Sequence, residues 1–118
     1  MTEEVSLSYL KSRVSEFIEE REWGKYHTPK NIAESIVIEA SELLQIFQWI
    51  DNADSLKHGL ENRDRVEEEL ADIIIYCLSM ANVLDVNLTK AVLNKLEKNK
   101  RRYPVEKFKG VYYKPGPK

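Results

Sequence analysis

The stretches IAESIVIEASELLQIFQWI, residues 32–50, and VEEELADIIIYCLSM, residues 66–80, decide the fold. In each, apolar side chains return every three or four residues, the period of a helix packed along one side. Neither contains Gly or Pro. Each also carries an acidic pair spaced i, i+3: Glu39 with Glu42, then Glu69 with Asp72. Residues so spaced share one helical face. Advancing about 100° per residue, Glu39 falls between Ile46 and Ile50, and Glu42 between Ile46 and Trp49. Glu69 falls between Tyr76 and Met80, beside Ile73, with Asp72 flanking them. These acids therefore lie on the apolar stripes, whereas Glu67 projects away like an ordinary solvated charge.

Working outward, Thr28-Pro29 reads as an N-cap followed by proline at the first helical position, so this helix runs from about Pro29 to Ile50. Before it, residues 5–22 repeat Leu10, Val14, Phe17, Ile18 and Arg21 at helical spacing, and the segment from Gly24 to Pro29 breaks the pattern. After it, Asp51 to Asn62 reads as a polar connection. Asp64-Arg65-Val66-Glu67 has the form of a capping box opening a third helix to about Leu84. A turn at 85–87 leads to a fourth helix, Leu88 to Tyr103, stopped by Pro104. The expected fold is all-α, an antiparallel four-helix bundle in one domain over residues 1–104. The tail, residues 105–118, is expected to be extended or loosely docked.

The bulk composition agrees. The chain has 118 residues, 42% hydrophobic and 32% charged, which suits one globular domain rather than disorder. A net charge of -2 gives no field for nucleic acid or an anionic membrane. The single cysteine, Cys77, excludes an intramolecular disulfide and a cysteine metal cluster, and reads as a small core residue. No apolar signal core or membrane-length run is present, so a soluble, cytoplasmic protein is expected.

Ionised carboxylates on a helical core are costly unless paired or bound to a cation, and four together also repel. An all-oxygen set suits a hard divalent ion, Mg2+ with Mn2+ as a substitute. The alternatives are a non-enzymatic helical interaction module whose acids are tied up in structural salt bridges, and a hydrolase of another phosphorylated compound on the same fold. A di-iron centre is disfavoured, because neither His27 nor His58 stands at Glu-x-x-His spacing. A second feature is KLEKNKRRY, Lys95 to Tyr103, in which Lys95, Asn99 and Arg102 share a side next to Leu88, Val92 and Leu96. Acids that hold a cation together with a basic stripe are what polyphosphate chemistry requires. Alone, the stripe reads rather as a solvated face complementing the helix dipole. Trp23, Trp49 and Tyr76 are candidates to stack a base, or simply core. His27, in a loop, is a candidate phosphate contact or a surface residue.

These segments resemble the all-α MazG-like nucleotide pyrophosphohydrolases, and among them the dCTP pyrophosphatase branch. The resemblance rests on EASE (Glu39 to Glu42), ELAD (Glu69 to Asp72), EREWGKYHTPKN, ELLQIFQW, EEELADIIIY and KNKRRYP, in that family's order, over residues 7 to 104. It implies hydrolysis of a nucleoside triphosphate, dCTP or a related pyrimidine, between the α and β phosphates, giving a monophosphate and pyrophosphate. It implies magnesium on Glu39, Glu42, Glu69 and Asp72, phosphate or sugar contacts from Lys95, Asn99, Arg102 and Tyr103, and a nucleoside pocket of Trp23, Trp49 and Tyr76. Where relatives acting on dCTP carry a base-facing histidine in the first helix, this chain has Val14. The resemblance further implies a homodimer or homotetramer with sites completed across subunits. The expected mechanism is in-line attack by water, with Glu39 or Glu42 as general base.

Overall fold

A computed structural model describes residues 4–111, and the described chain contains helices and no strands. Its contacts divide it into two units at Val86 and Asn87.

The first unit contains α1 (Leu7–Glu20), a 3-10 turn (Gly24–Tyr26), α2 (Pro29–Phe47), α3 (Asn52–Glu61) and α4 (Arg63–Val83). The starts follow local chemistry. Ser6 Oγ accepts the Tyr9 N–H at 3.0 Å and Thr28 Oγ1 accepts the Asn31 N–H at 3.2 Å, each satisfying a donor that the first helical turn leaves over. Pro29 follows Thr28 directly, as expected. The ends of α1 and α4 share one device: Glu22 and Asp85 adopt left-handed φ of 53°, and the next N–H reaches back five residues, Trp23 to the Ile18 carbonyl and Val86 to the Ala81 carbonyl.

α4 packs against both α1 and α2, and the pairings run antiparallel. Asn82 Nδ2 donates to the Lys11 carbonyl at 2.9 Å while Lys11 Nζ donates to the Val86 carbonyl at 2.7 Å, fastening the start of α1 to the end of α4. Along α2, His27 meets Tyr76, Glu39 meets Asp72, and Phe47 shares a groove with Val66. Ile32, Ile46, Leu78 and Ala81 are buried between these helices, Ile32 at 1% exposure. Removing the Ile32 side chain to Ala would cost about 2–5 kcal/mol.

Two sequence expectations change here. The polar connection from Asp51 to Asn62 is a helix, α3, whose Leu56 and Leu60 stand one turn apart. Gly59 lets it approach α2: a Cβ there would lie 3.3 Å from the Phe47 ring. The capping box at Asp64 does not form, because α4 begins at Arg63 after Asn62, and the Asn62 amide donates back to the His58 carbonyl at 2.9 Å. That one residue closes α3 and precedes α4, so its side chain serves the earlier helix.

Much apolar surface remains open. Leu10, Val14, Phe17, Leu70, Ile74 and Ile75 line a groove of about 540 Å³ between α1 and α4.

The second unit contains α5 (Leu88–Arg102) and α6 (Val105–Phe108). Asn87 Oδ1 caps α5 through the Lys90 N–H at 3.0 Å, and Lys100, Arg101 and Arg102 occupy its last turn, where the helix dipole favours cations. The expected extended tail instead begins with a helical turn after Pro104. Phe108 packs edge-on against Tyr103, with 5.3 Å between ring centroids, which gives that turn an apolar anchor. The rest of the tail, residues 112–118, lies outside the described residues. No helix among the described residues is long and apolar enough to cross a membrane.

Candidate functional site

Two helices carry the acids, and their antiparallel packing brings the acids together. Glu39 on α2 and Glu69 and Asp72 on α4 each offer a carboxylate oxygen, all within 4.8 Å of one another. Glu42, one turn along α2, shares a hydrogen bond with Glu39. Glu39 and Glu69 are half-buried.

The electrostatics are one-sided. The hydrogen bond with Glu42, partial burial, and the hydrogen bond and charge of Asp72 push the Glu39 carboxyl up to about 7. Partial burial and the charges of Glu42, Asp72 and Glu68 also hold Glu69 above the usual carboxylate range, with Arg65 acting weakly the other way. The ion pairs among the described residues are local surface pairs such as Arg13–Glu16, Lys30–Glu34 and Arg63–Glu67, and none includes Glu39, Glu42, Glu69 or Asp72. Among the described residues, the salt-bridge alternative thus finds no ion-paired cation at these four acids. A donor set of converging carboxylate oxygens without a basic partner fits a hard divalent ion.

The other sequence candidates are distributed along the chain. Tyr76 stands one turn beyond Asp72 on α4 and stacks on the His27 ring, with centroids 6.5 Å apart and planes at 20°. Trp23 packs edge-on against Phe17 at 5.7 Å. Trp49 lies past the other end of α2, 86% exposed, beside a pocket lined by Asp51, Asp54, Lys57 and His58. At about 1.5 Å rise per residue it is roughly 10 Å beyond Glu42, on the side away from Tyr76. Within the first unit, then, the aromatic candidates do not converge on one pocket. Val14 lines the apolar groove between α1 and α4. Lys95, Asn99 and Arg102 lie on α5 and Tyr103 ends it, all in the second unit. Lys95 and Arg102 are exposed and form no ion pair among the described residues.

Sequence reasoning undervalued His27. It is half-buried, stacked on Tyr76 and hydrogen-bonded through Nδ1 to the Trp23 carbonyl at 2.9 Å. The stacking partner is remote in sequence, and nothing in the local pattern announces it.

An all-helical scaffold that sets ExxE on one helix against ExxD on its antiparallel neighbour defines a class of helical proteins with an acidic centre. The chain belongs to the MazG-like family, whose model matches residues 34–116. It is 34% identical over 109 residues to dCTP pyrophosphatase 1 of Rattus norvegicus, covering 91% of this chain and 64% of that protein. It is 37% identical over 103 residues to dCTP pyrophosphatase 1 of Homo sapiens, covering 86% and 61% respectively. The chain thus spans less than two-thirds of the length of these mammalian relatives. Its fold is similar to the crystal structure of a pyrophosphatase from Archaeoglobus fulgidus, with a TM-score of 0.80 and 42% identity over 88% of this chain and 97% of that one.

Proposed function

We propose that this chain is a metal-dependent nucleoside triphosphate pyrophosphohydrolase acting on dCTP or a related pyrimidine triphosphate. The observation that carries the reading is the convergence of carboxylate oxygens from Glu39, Glu69 and Asp72, none of which is in an ion pair among the described residues. The names of the mammalian relatives and of the archaeal pyrophosphatase support the reaction class. Glu39, Glu69 and Asp72 would hold the ion, Mg2+ in this reading. When bound, such an ion polarises phosphate oxygens and offsets the charge of the polyphosphate.

The chain's own groups supply the rest. Water attacks phosphorus in line, the bridging P–O bond breaks, and pyrophosphate leaves with the electron pair. Glu42 stands beside the convergent trio rather than within it, so it is the carboxylate assigned to take the proton from water. Lys95 and Arg102, which form no ion pair among the described residues, are assigned to the phosphates on the family resemblance, with Asn99 and Tyr103 as polar contacts near the sugar. The open groove between α1 and α4 supports a homo-oligomer as the working form.

The test is incubation with a panel of nucleoside triphosphates and Mg2+, separating pyrophosphate from orthophosphate as product. Pyrophosphate release with the highest kcat/KM for dCTP is expected. Orthophosphate release would overturn the reaction class. Preference for purines would overturn only the base assignment.

A further inference from the structure

A cation stands on the acidic face of α4. Advancing about 100° per residue, Arg65 falls between Asp72 and Glu69, and at about 1.5 Å per residue it lies roughly 6 Å from Glu69 towards the start of the helix. The charge of Glu42 acts on Glu69 from α2, so Arg65 continues beyond the Glu42–Glu69 end of the centre. Its own charge also reaches Glu69, yet Arg65 forms no ion pair among the described residues. The other basic residue of α4, Arg63, falls about 120° away from Glu69. It pairs with Glu67 at 4.0 Å.

Fold stability does not account for Arg65. It is exposed, so it covers no core. It is the third residue of α4, where the helix dipole opposes a cation. The ordinary use of an arginine at this place is an i, i+4 pair with Glu69, and among the described residues that pair is not made. A guanidinium one turn from converging carboxylates, and joined to none of them, leaves a space that an anion can bridge. A phosphate group seated at the acids can turn a pair of oxygens to the planar fork of Arg65.

We infer that Arg65 is a catalytic residue that binds the pyrophosphate half of the substrate and neutralises it as it leaves. The inference rests on the pyrophosphohydrolase reading for the reaction. It also fixes the direction of the substrate, with the β and γ phosphates towards the start of α4. When the bond between the α phosphorus and the bridging oxygen breaks, the electron pair stays on that oxygen. Arg65 is protonated at any working pH, so it offsets the new charge and gives up no proton.

The test measures binding of pyrophosphate and of dCMP by calorimetry in Mg2+, beside kcat and KM for dCTP. It uses wild type, Arg65→Ala, Arg65→Lys and Arg63→Ala. Arg65→Ala should weaken pyrophosphate about tenfold or more, as a charge-assisted hydrogen bond allows, and leave dCMP unchanged. The ratio kcat/KM should fall at least as far. Arg65→Lys keeps the charge but not the fork, and should recover only part of both losses. Arg63→Ala should match wild type. Equal losses for pyrophosphate and dCMP would mean that Arg65 acts only through the acids, and would overturn the proposal. Unchanged pyrophosphate binding in Arg65→Ala would overturn it too. Arg65-dependent pyrophosphate binding without any triphosphate hydrolysis would sink the activity and keep the assignment, whereas hydrolysis with pyrophosphate binding indifferent to Arg65 would do the reverse.

Discussion

Glu39 and Asp72 face each other across α2 and α4 with carboxylate oxygens within 4.8 Å, so the acidic centre gathers like charges that favour the protonated form of Glu39. Its pH dependence follows. Glu39 is raised from 4.5 to about 7. Between those values the folded chain binds more protons than the unfolded chain, so stability falls as pH rises through this window. The contribution is fully present below the unfolded value and gone above the folded one. In EDTA, the melting temperature should therefore drop between pH 5 and pH 8. Saturating Mg2+ should remove most of that drop, since the ion supplies the missing counter-charge. A metal-free melting temperature that climbs over the same range would contradict the arrangement.

Asp72→Asn and Glu42→Gln each remove a like charge from the centre. Both should abolish most turnover, about 100-fold or more for the assigned base Glu42. Neither should lower metal-free stability at pH 8, because relieved repulsion offsets the lost contacts. Structural ion pairs would behave otherwise: truncating one partner of a buried pair costs about 3–5 kcal/mol. Denaturation curves measured beside pyrophosphate release distinguish these outcomes.

Ile74 and Leu70, each 47% exposed, lie in the groove between α1 and α4. Light scattering should report a dimer or tetramer, and Ile74→Glu should shift the mass towards a monomer by placing a charge in the contact. A monomeric wild type at micromolar concentration would refute the assembly.

Gly59→Ala sets two effects against each other. Helix propensity favours Ala by about 1 kcal/mol. Against it, the new Cβ would meet the Phe47 ring at 3.3 Å, in a contact where overpacking costs about 1–3 kcal/mol. A net loss of about 1 kcal/mol in chemical denaturation is expected. A gain would mean that α3 moves freely relative to α2.

The sequence made α2 and α4 legible because their apolar periods are long and their acids break the amphipathic rule on the packed side. The same anomaly exposed Glu39, Glu42, Glu69 and Asp72, since an acid on an apolar stripe needs no partner in view to demand an explanation. α3 was illegible because Asp51, Asn52, Asp54 and Gly59 read as turn residues, and only Leu56 and Leu60 hint at a helical face. Its register is set by Phe47 and by the carbonyl of Ile46, which local propensity does not report. His27 escaped for a related reason: its ring contact lies on another helix, 49 positions away along the chain.

The His58 Nε2 atom sits 2.8 Å from the Ile46 carbonyl, at the end of α2 where helical donors run out. A ring from the next helix thus supplies the terminal proton donor that solvent or a glycine turn supplies elsewhere. Residues 51–62 have the composition of a segment that could be lengthened, grafted or cut at will, yet they are mechanically part of the preceding helix. Loop engineering, domain insertion or limited proteolysis there would remove the donor that closes the last turn of α2, about two helical turns from Glu42 in the acidic centre.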